Sequence, residues 1–186
     1  MFGFNTDEKL IHKALRGTES AWLALVKRHE QRVYNHLLRI VGQRADAMDL
    51  LQDTFLAVYR NLPNYRGDGV FLGWVMRIAS NRALDFLRSK ARKPEQALEG
   101  DEQNWDVQRS EDPSDNLHLS QRKKAVLRML QQLSPEVRLV VELKFFQQRS
   151  FQEIGQHMGI PTTTAKTRFY AALKNLRQFV EVDDVI

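Results

Sequence analysis

The sequence predicts an all-α protein: two small helical domains joined by a flexible acidic linker. Apolar residues recur at helical spacing along most of the 186 residues, and the alternating, β-branched runs that are typical of strands are missing. Residues 93–120 differ, because they contain eight acids, two bases, two prolines and few apolar residues, a composition that favours a flexible linker. We therefore predict an N-terminal helical bundle over 1–92, the linker over 93–120 and a C-terminal helix-turn-helix domain over 121–186.

Charge follows the same division. The formal net charge is +5, but the linker alone contributes −6, so the remaining segments carry +11. A basic surface favours a polyanionic partner such as nucleic acid. The absence of cysteine excludes disulfides and thiolate zinc sites, and it fits a reducing cytoplasm. No run approaches the ~18 apolar residues of a membrane span, and the polar start "MFGFNTDEKL" is unlike a signal peptide, so we expect no membrane insertion.

Three helices are predicted before Pro63. Two amphipathic helices lie between about 6 and 41 and are punctuated by Gly17 and Gly42. The third covers "ADAMDLLQDTFLAVYR", residues 45–60. We assign to the apolar faces of the first two Leu10, Ile11, Ala14, Leu15, Trp22, Leu23, Leu25, Val26, Val33, Leu37 and Ile40.

The third helix has two contrasting faces. Asp46, Asp49, Gln52 and Asp53 fall on one face, with Leu56 among them. Carboxylates near a helix N-terminus are favoured anyway, but that does not explain a leucine beside them. Acidic groups around an apolar contact suit a protein-docking site. The opposite face is a stripe that packs on a core, formed by Ala47, Leu51, Phe55, Val58 and Leu62.

A further helix, from about Phe71 to Arg92, follows the turn "PNYRGDG". Its residues Trp74, Arg77, Asn81, Arg88 and Arg92 share one side. Aromatic and guanidinium groups together suit single-stranded or partly melted nucleic acid. Cations are also favoured near a helix C-terminus, so an ordinary solvated face is the alternative.

Residues 151–179, "FQEIGQHMGIPTTTAKTRFYAALKNLRQF", predict a helix-turn-helix. Gly155 lets a second helix approach closely and Gly159 supplies the tight turn. Upstream, "LSPEV" predicts a helix start with Ser134 as the cap and Pro135 in the first turn. An ordinary helical hairpin is the alternative. The second helix places Ala165, Phe169, Ala172 and Leu176 inward and Lys166, Thr167, Tyr170 and Lys174 outward, which suits base edges and phosphates.

Several of these segments together resemble a known family. "ADAMDLLQDTFLAVYRNLPNYRGDGVFLGWVMRIASNRALDFLR" is similar to the second region of bacterial sigma factors, and "LSPEVRLVVELKFFQQRSFQEIGQHMGIPTTTAKTR" to their fourth region. The short two-domain layout resembles the extracytoplasmic-function (ECF) class. The resemblance implies an alternative sigma factor that binds core RNA polymerase through its β′ and β subunits and directs promoter recognition, with genes of stress or envelope responses as expected targets.

The resemblance also implies roles for particular residues. The docking face on a coiled coil of β′ would comprise Asp49, Gln52, Asp53 and Leu56. Recognition of the −10 element would use Tyr65 and Asn81 to capture a flipped base, and Trp74, Arg77, Arg82 and Arg88 to line or support the melted strand. Recognition of the −35 element would use Lys166, Thr167, Arg168, Tyr170 and Lys174. The linker would occupy the RNA exit path of polymerase, and an anti-sigma factor would mask these faces. In the family's frequent Pro-x-Gly-Thr turn, Thr163 replaces glycine.

Two other functions are alternatives to this one. A conventional helix-turn-helix activator or repressor explains 121–186 but leaves the face of Asp49, Asp53 and Leu56 unused. An enzyme is the second alternative, since "HEQRV" at 29–33 begins like a zinc-protease helix. Val33 stands where the second histidine is needed, and no nucleophile–base constellation is visible. We therefore expect no catalysis, no metal and no cofactor.

Overall fold

A computed structural model describes residues 6–67, 69–92 and 123–183, with side chains as far as 177, and within these ranges it contains helices joined by short turns and no strand. The all-α prediction is therefore confirmed for the described residues. The predicted linker, 93–120, lies outside them. The helices are α1 (Asp7–Leu15), α2 (Glu19–Val41), α3 (Arg44–Asn61), α4 (Phe71–Arg92), α5 (123–131), α6 (Pro135–Val141), α7 (Phe151–Met158) and α8 (Thr162–Asp183), with a 3-10 turn at Leu62–Asn64 and a π-helical segment at Glu142–Phe146 that continues α6.

Helices α1 to α4 form the N-terminal domain, in which α2 is the central element. Its long apolar face packs on α1, α3 and α4. Leu25, Val33 and Leu37 on α2 are fully buried, as are Val58 on α3 and Val75 on α4. Burial of a large aliphatic side chain contributes ~1.5–3 kcal/mol, so this shared core holds α3 and α4 in a fixed relation to α2.

Helices α5 to α8 form the C-terminal domain. Leu139, Leu143 and Ile154 are fully buried there, together with Ala165 and Ala172 on α8. The prediction of Pro135 in the first turn of α6 is confirmed, but the Ser134 side chain makes no capping hydrogen bond. The proline has no amide to satisfy at the first helical position, and its fixed φ suits a helix start, so α6 begins at Pro135 without that bond.

The two domains touch along α2 and α4 on one side and α6, its π-helical segment and α7 on the other. Gly42, in the left-handed region at φ +83°, ends α2 at this boundary. A Cβ atom at Gly42 would lie 2.5 Å from the Gln131 side chain of α5, which would have to shift, and the left-handed backbone itself favours glycine. The contact between the domains is therefore close as well as extensive.

Candidate protein and nucleic-acid interfaces

The acidic face of α3 is largely open to solvent, as predicted. Asp49, Gln52 and Asp53 are exposed, and Leu56 between them retains 53% of its accessible surface. Asp46 departs from the expected set, because its carboxylate accepts a hydrogen bond of 3.0 Å from Lys90 at the end of α4. The structure thus separates Asp46, which ties α3 to α4, from the three polar residues that remain available around Leu56.

An apolar groove of about 870 Å³ runs beside this face, between α2 and α3. Trp22 forms one wall, with its ring centroid 5.1 Å from that of Tyr59 and 6.2 Å from that of Phe55. Leu23 is 56% exposed, so its assignment to the buried face of α2 is wrong. It projects into the groove because it stands well off the line of Leu25 and His29 on the helix. Gln52 and Leu56 line the same groove from α3.

A cluster of aromatic rings marks the start of α4. The ring of Tyr65 lies 5.1 Å from Trp74 and 5.4 Å from Phe71, measured between centroids. The Tyr65 hydroxyl donates a 2.8 Å hydrogen bond to the carbonyl of Gly69, which holds the preceding turn against the helix. Phe71 is buried whereas Tyr65 and Trp74 are half-buried. The rings of Tyr65 and Trp74 therefore form a platform, supported by the buried ring of Phe71, on which a flat group can stack.

The polar residues predicted for the same site lie along α4. Arg77, Asn81 and Arg88 are exposed on the side that carries Trp74, and Asn81 stands two turns, ~10 Å, beyond it. Arg82 is exposed about a quarter-turn away, so it borders this face. Arg88 is engaged by two carboxylates, that of Asp85 at 3.5 Å and that of Glu136 on α6 at 3.2 Å.

Helices α7 and α8 form the predicted helix-turn-helix. Ser150 and Glu153 make a reciprocal capping box at the start of α7, and these hydrogen bonds lower the pKa of Glu153. Gly159 is left-handed at φ +66°. A Cβ atom at Gly155 would approach the carbonyl oxygen of Ile160 to 2.7 Å. Both glycines are thus required, one by the turn and the other by close packing, as the sequence predicted.

The outward face of α8 contains four of the five predicted residues. Lys166, Thr167, Tyr170 and Lys174 are exposed and fall within about 100° around the helix. Arg168 is half-buried and points away from Tyr170, so the structure does not group it with the others. Tyr170 keeps 61% of its surface accessible although its ring lies 5.6 Å from Phe169 and 6.2 Å from Phe151.

Sequence reasoning missed two residues of this face. Thr163 and Arg177 are exposed and lie at the angle of Tyr170, two turns before and two turns after it. Thr163 also accepts, through its carbonyl, a 3.0 Å hydrogen bond from the Thr167 hydroxyl. Continuing the helical period to the end of the motif would have identified Arg177.

Two features are absent from the described residues. Within 6–67, 69–92 and 123–183, three or more histidine or carboxylate side chains nowhere converge at a distance that could hold a metal ion. Among the helices formed by these residues, none combines the length and the apolar character that a membrane crossing requires.

The chain is similar to known proteins along most of its length. Residues 25–93 match the family model of sigma-70 region 2, and residues 123–176 match that of sigma-70 region 4. The chain is 35% identical over 162 residues to the ECF RNA polymerase sigma factor SigE of Mycolicibacterium smegmatis, covering 86% of this chain and 62% of that protein. It is 30% identical over 174 residues to the ECF RNA polymerase sigma-E factor of Escherichia coli strain K12, covering 90% of each.

Solved structures share the fold. CnrH in complex with the cytosolic domain of CnrY gives a TM-score of 0.66 at 22% identity, covering 95% of this chain and 98% of that one. The sigma factor RpoE of Bartonella quintana, in complex with the anti-sigma factor NepR, gives a TM-score of 0.67 at 17% identity, covering 86% of this chain and 96% of that one. At these identities the similarity establishes the fold alone.

Proposed function

Because the chain belongs to the family of extracytoplasmic-function RNA polymerase sigma factors, as its sequence predicted, we propose that it binds core RNA polymerase and directs promoter recognition and transcription initiation. The main support for this proposal is that one chain exposes both the face of α3 assigned to protein docking and the face of α8 assigned to base reading. A regulator that acts only by binding duplex DNA needs the second face but not the first. A subunit that recruits polymerase to a promoter needs both.

Docking on polymerase is assigned to Asp49, Gln52, Asp53 and Leu56 together with the adjoining groove. A groove between two helices with an apolar floor suits an amphipathic helix. Leu23 and Leu56 supply apolar contacts from opposite walls, and the acids supply charge complementarity to a basic partner. These features support a coiled-coil helix of the β′ subunit as the occupant, with β as a second contact of the chain.

Recognition of the −10 element is assigned to the face of α4. Removing a base from the stack costs a few kcal/mol, which a prepared surface has to offset. The platform of Tyr65 and Trp74 offers stacking, and Asn81 offers an amide donor and acceptor for a base edge. Arg77 and Arg88 suit the phosphates of the melted strand, with Arg82 at the border.

Recognition of the −35 element is assigned to the outward face of α8. Lys166 stands early on the helix, where recognition helices meet base edges, and Lys174 stands two turns later, where contacts to phosphates are expected. Tyr170 and Thr167 lie between them and add aromatic and methyl surface. We extend this face to Thr163 and Arg177 and assign Arg168 a supporting position.

Further parts of the proposal follow from this role. Polymerase carries out the chemistry, so the protein itself is not an enzyme and requires no cofactor. It acts in the cytoplasm, where promoter DNA and polymerase meet. A solved relative is bound to an anti-sigma factor, which supports an anti-sigma factor as a further partner. Stress or envelope-response genes are the expected targets.

In vitro transcription tests the proposal directly. The purified chain is added to core RNA polymerase, and promoters are selected from a library of genomic fragments by their transcripts. We expect discrete start sites that depend on the chain and that share two upstream elements. A variant lacking the base-reading face, Lys166→Ala with Tyr170→Ala, serves as the control. If start sites did not depend on the chain, the proposed function would be wrong.

A further inference from the structure

A buried histidine of α2 lies next to the ring that supports the platform of Tyr65 and Trp74. His29, from the segment that begins like a zinc-protease helix, is only 5% exposed. Its Nε2 lies 3.0 Å from Oδ2 of Asp7, the first residue of α1. Its ring centroid lies 5.6 Å from that of Phe71. A side chain of α1 is thus linked to the platform through two buried rings.

The hydrogen bond to Asp7 decides the tautomer of His29. An ionised carboxylate only accepts, so Nε2 carries the proton and donates it. Burial lowers the pKa of His29, although the carboxylate of Asp7 opposes this effect. Nδ1 is then an acceptor, and it is buried without a hydrogen-bond partner among the described residues. The orientation of the neutral imidazole therefore depends on Asp7.

Asp7 divides its carboxylate between two neighbouring residues of α2. Oδ2 accepts from His29, and Oδ1 accepts from Arg28 Nη1 at 2.7 Å. Arg28 is exposed whereas His29 is buried. An exposed ion pair contributes little to stability, and a buried hydrogen bond to a charged group contributes more. The bond to His29 is therefore the one that fixes the start of α1 on α2.

A position in the first turn of a helix is the simpler explanation of Asp7, because carboxylates are favoured there. Glu8 stands in the same turn and is exposed. The helix dipole favours both acids, but of the two it is Asp7 that lies within hydrogen-bond distance of a buried imidazole. The comparison of Asp7 with Glu8 therefore separates the two explanations.

Helix α1 also approaches the platform by a second route. Its buried residues Leu10 and Ile11 belong to the same core as Leu62. The helix packs on the 3-10 turn Leu62–Asn64, which immediately precedes Tyr65. The same helix thus supports the platform both at the turn before Tyr65 and, through the imidazole, at the ring below it.

We propose that Asp7 and His29 are positioning residues of the −10 platform. The bond between them holds the ring of Phe71, and Phe71 in turn holds the rings of Tyr65 and Trp74 in the arrangement on which a flipped base stacks. This inference rests on the proposed function, which assigns the platform to base capture. It adds α1, which precedes the residues that match sigma-70 region 2, to the surface for −10 recognition.

The first test observes the platform in the free protein. The chain contains three tryptophans, Trp22, Trp74 and Trp105, so growth with 5-fluorotryptophan gives three fluorine resonances, assigned by replacing each tryptophan with phenylalanine. Trp74 reports on the platform. Trp22 lines the groove together with Ala14 near the end of α1, so it reports whether that helix is docked. Asp7→Ala should move the Trp74 resonance by more than its linewidth and leave that of Trp22 in place.

Three further variants show which contact of Asp7 matters. Asp7→Asn keeps an oxygen that can accept from the imidazole, so the Trp74 resonance should stay within one linewidth of its parent position. Glu8→Ala removes the other acid of the first turn, and Arg28→Ala removes the exposed partner. Both should leave the Trp74 resonance unchanged. An unmoved Trp74 resonance in Asp7→Ala, an equal shift in Glu8→Ala, or joint movement of both tryptophan resonances would overturn the proposal.

The second test measures base capture by the complex with core RNA polymerase. Each complex is titrated with two DNAs taken from a promoter found by the transcription experiment, one with an unpaired −10 strand and the other a duplex with only the −35 element. Asp7→Ala should weaken binding of the unpaired strand ~5- to 10-fold, part of what stacking of one base contributes. Binding of the −35 duplex should not change.

The pattern of losses separates the possible failures. Equal affinity of Asp7→Ala and the parent protein for the unpaired strand, or an equal loss for both DNAs, would overturn the positioning role. If the parent complex itself bound neither DNA selectively, the function proposed above would be wrong. The fluorine resonances would then still report whether Asp7 positions the platform.

Discussion

The imidazole Nε2 of His157 lies 2.9 Å from the hydroxyl oxygen of Ser80, so that a neutral histidine of one domain donates to a serine of the other. Burial, together with the charges of Arg149, His36 and Arg77, lowers the pKa of His157 to about 3. A solvated histidine has a pKa near 6.5. When the domains separate, His157 becomes solvated, so at pH values between 3 and 6.5 it binds a proton that it does not bind in the closed form.

This difference predicts that acid opens the molecule. Above pH 6.5 both forms hold His157 neutral, and its contribution to closure is complete. Between pH 6.5 and about 3 the open form binds one more proton, so closure loses ~1.4 kcal/mol for each pH unit, a tenfold change. The ratio of open to closed molecules should rise ~5-fold between pH 6.5 and 5.5 and ~10-fold for each further pH unit, as measured by pulsed electron spin resonance between spin labels on Lys13→Cys of α1 and Gln152→Cys of α7, two exposed positions.

The control for this prediction is His157→Gln, whose amide can still donate to Ser80 but does not titrate. His36, Glu142, Arg39, Arg77 and Arg149 surround the site in both proteins, so the difference between the two pH profiles isolates His157. His12→Gln, at an exposed position of α1, should retain the full acid response. Identical profiles for His157→Gln and the parent protein would contradict the assignment.

The acids of α3 should matter for docking and hardly at all for folding. Asp49→Ala with Asp53→Ala removes two exposed carboxylates, which contribute at most ~1 kcal/mol to stability. Complementary charges at an interface contribute more, so we expect affinity for core RNA polymerase to fall ~10- to 100-fold. Biolayer interferometry measures that affinity, and thermal unfolding checks the fold.

Glu8→Ala with Asp85→Ala provides the matched comparison, since it removes two exposed acids on α1 and α4. That variant should bind core polymerase as the parent does. If the α3 double variant unfolded, or retained full affinity, the docking assignment would be wrong.

Leu23 should be a docking residue that contributes nothing to the core. Leu23→Glu places a charge in the apolar groove, where a buried leucine would stabilise a complex by ~1.5–3 kcal/mol. We expect polymerase affinity to fall at least ~10-fold while the melting temperature changes little, because the side chain is 56% exposed. Val70→Glu, at a 75% exposed position away from the groove, should leave affinity for polymerase alone unchanged. A large loss of stability in Leu23→Glu would show that Leu23 belongs to the hydrophobic core and not to the docking surface.

Two basic residues of α8 should differ in their effect on promoter choice. Lys166 projects from the start of the outward face, whereas Arg168 is half-buried on another side of the helix. Lys166→Ala should relax the preference at one −35 position by ~1–3 kcal/mol. Arg168→Ala should leave the order of preferred sequences unchanged, and Lys174→Ala should mainly weaken the dependence of binding on salt.

A promoter library transcribed with each variant and core polymerase gives all three results together. Unchanged −35 preference with Lys166→Ala would argue against the placement of α8 in the major groove.

The free protein should bind promoter duplex weakly and gain specificity when core polymerase is added. The surface of Tyr65 and Asn81 requires an unpaired base, which intact duplex provides only at a cost of a few kcal/mol. Fluorescence anisotropy at fixed, near-physiological salt compares the free chain with its polymerase complex. With DNA whose −10 strand is already single-stranded, the difference in affinity between the free chain and its polymerase complex should be smaller. This comparison separates the cost of melting the duplex from other contributions to binding. Tight, sequence-specific binding by the free chain, with no gain from polymerase, would favour the activator instead.

The sequence predicts the features that depend on local geometry. The spacing of apolar residues gives the helices of the N-terminal domain, and Gly155 and Gly159 give the helix-turn-helix, because steric constraints on glycine act over a few residues. The exposure of Asp49 and Leu56 follows from helical period alone. Residue-by-residue roles stay predictions until polymerase and DNA are bound to the chain.

Features that depend on residues distant in the chain could not be predicted from the sequence. Asp46 leaves the acidic face because Lys90, 44 residues away, reaches it. Leu23 stays exposed because none of the described helices covers that side of α2, which a helical wheel cannot show. The bond between Glu142 and His36 joins residues 106 positions apart, and no periodic pattern relates them. Their pairing is visible only when the domains are seen together.

The bond from Lys90 to Asp46 keeps α3 and α4, and so the two proposed contact surfaces of the N-terminal domain, in a fixed relation. It clamps the last turns of α4 to the first turn of α3, and the buried core fixes the rest of both helices. The proposed polymerase contact and the proposed melted-strand contact therefore sit on one rigid piece, so any shift where the protein docks is transmitted undiminished to Trp74 and Asn81. Polymerase would then set the register of the opened strand by holding α3.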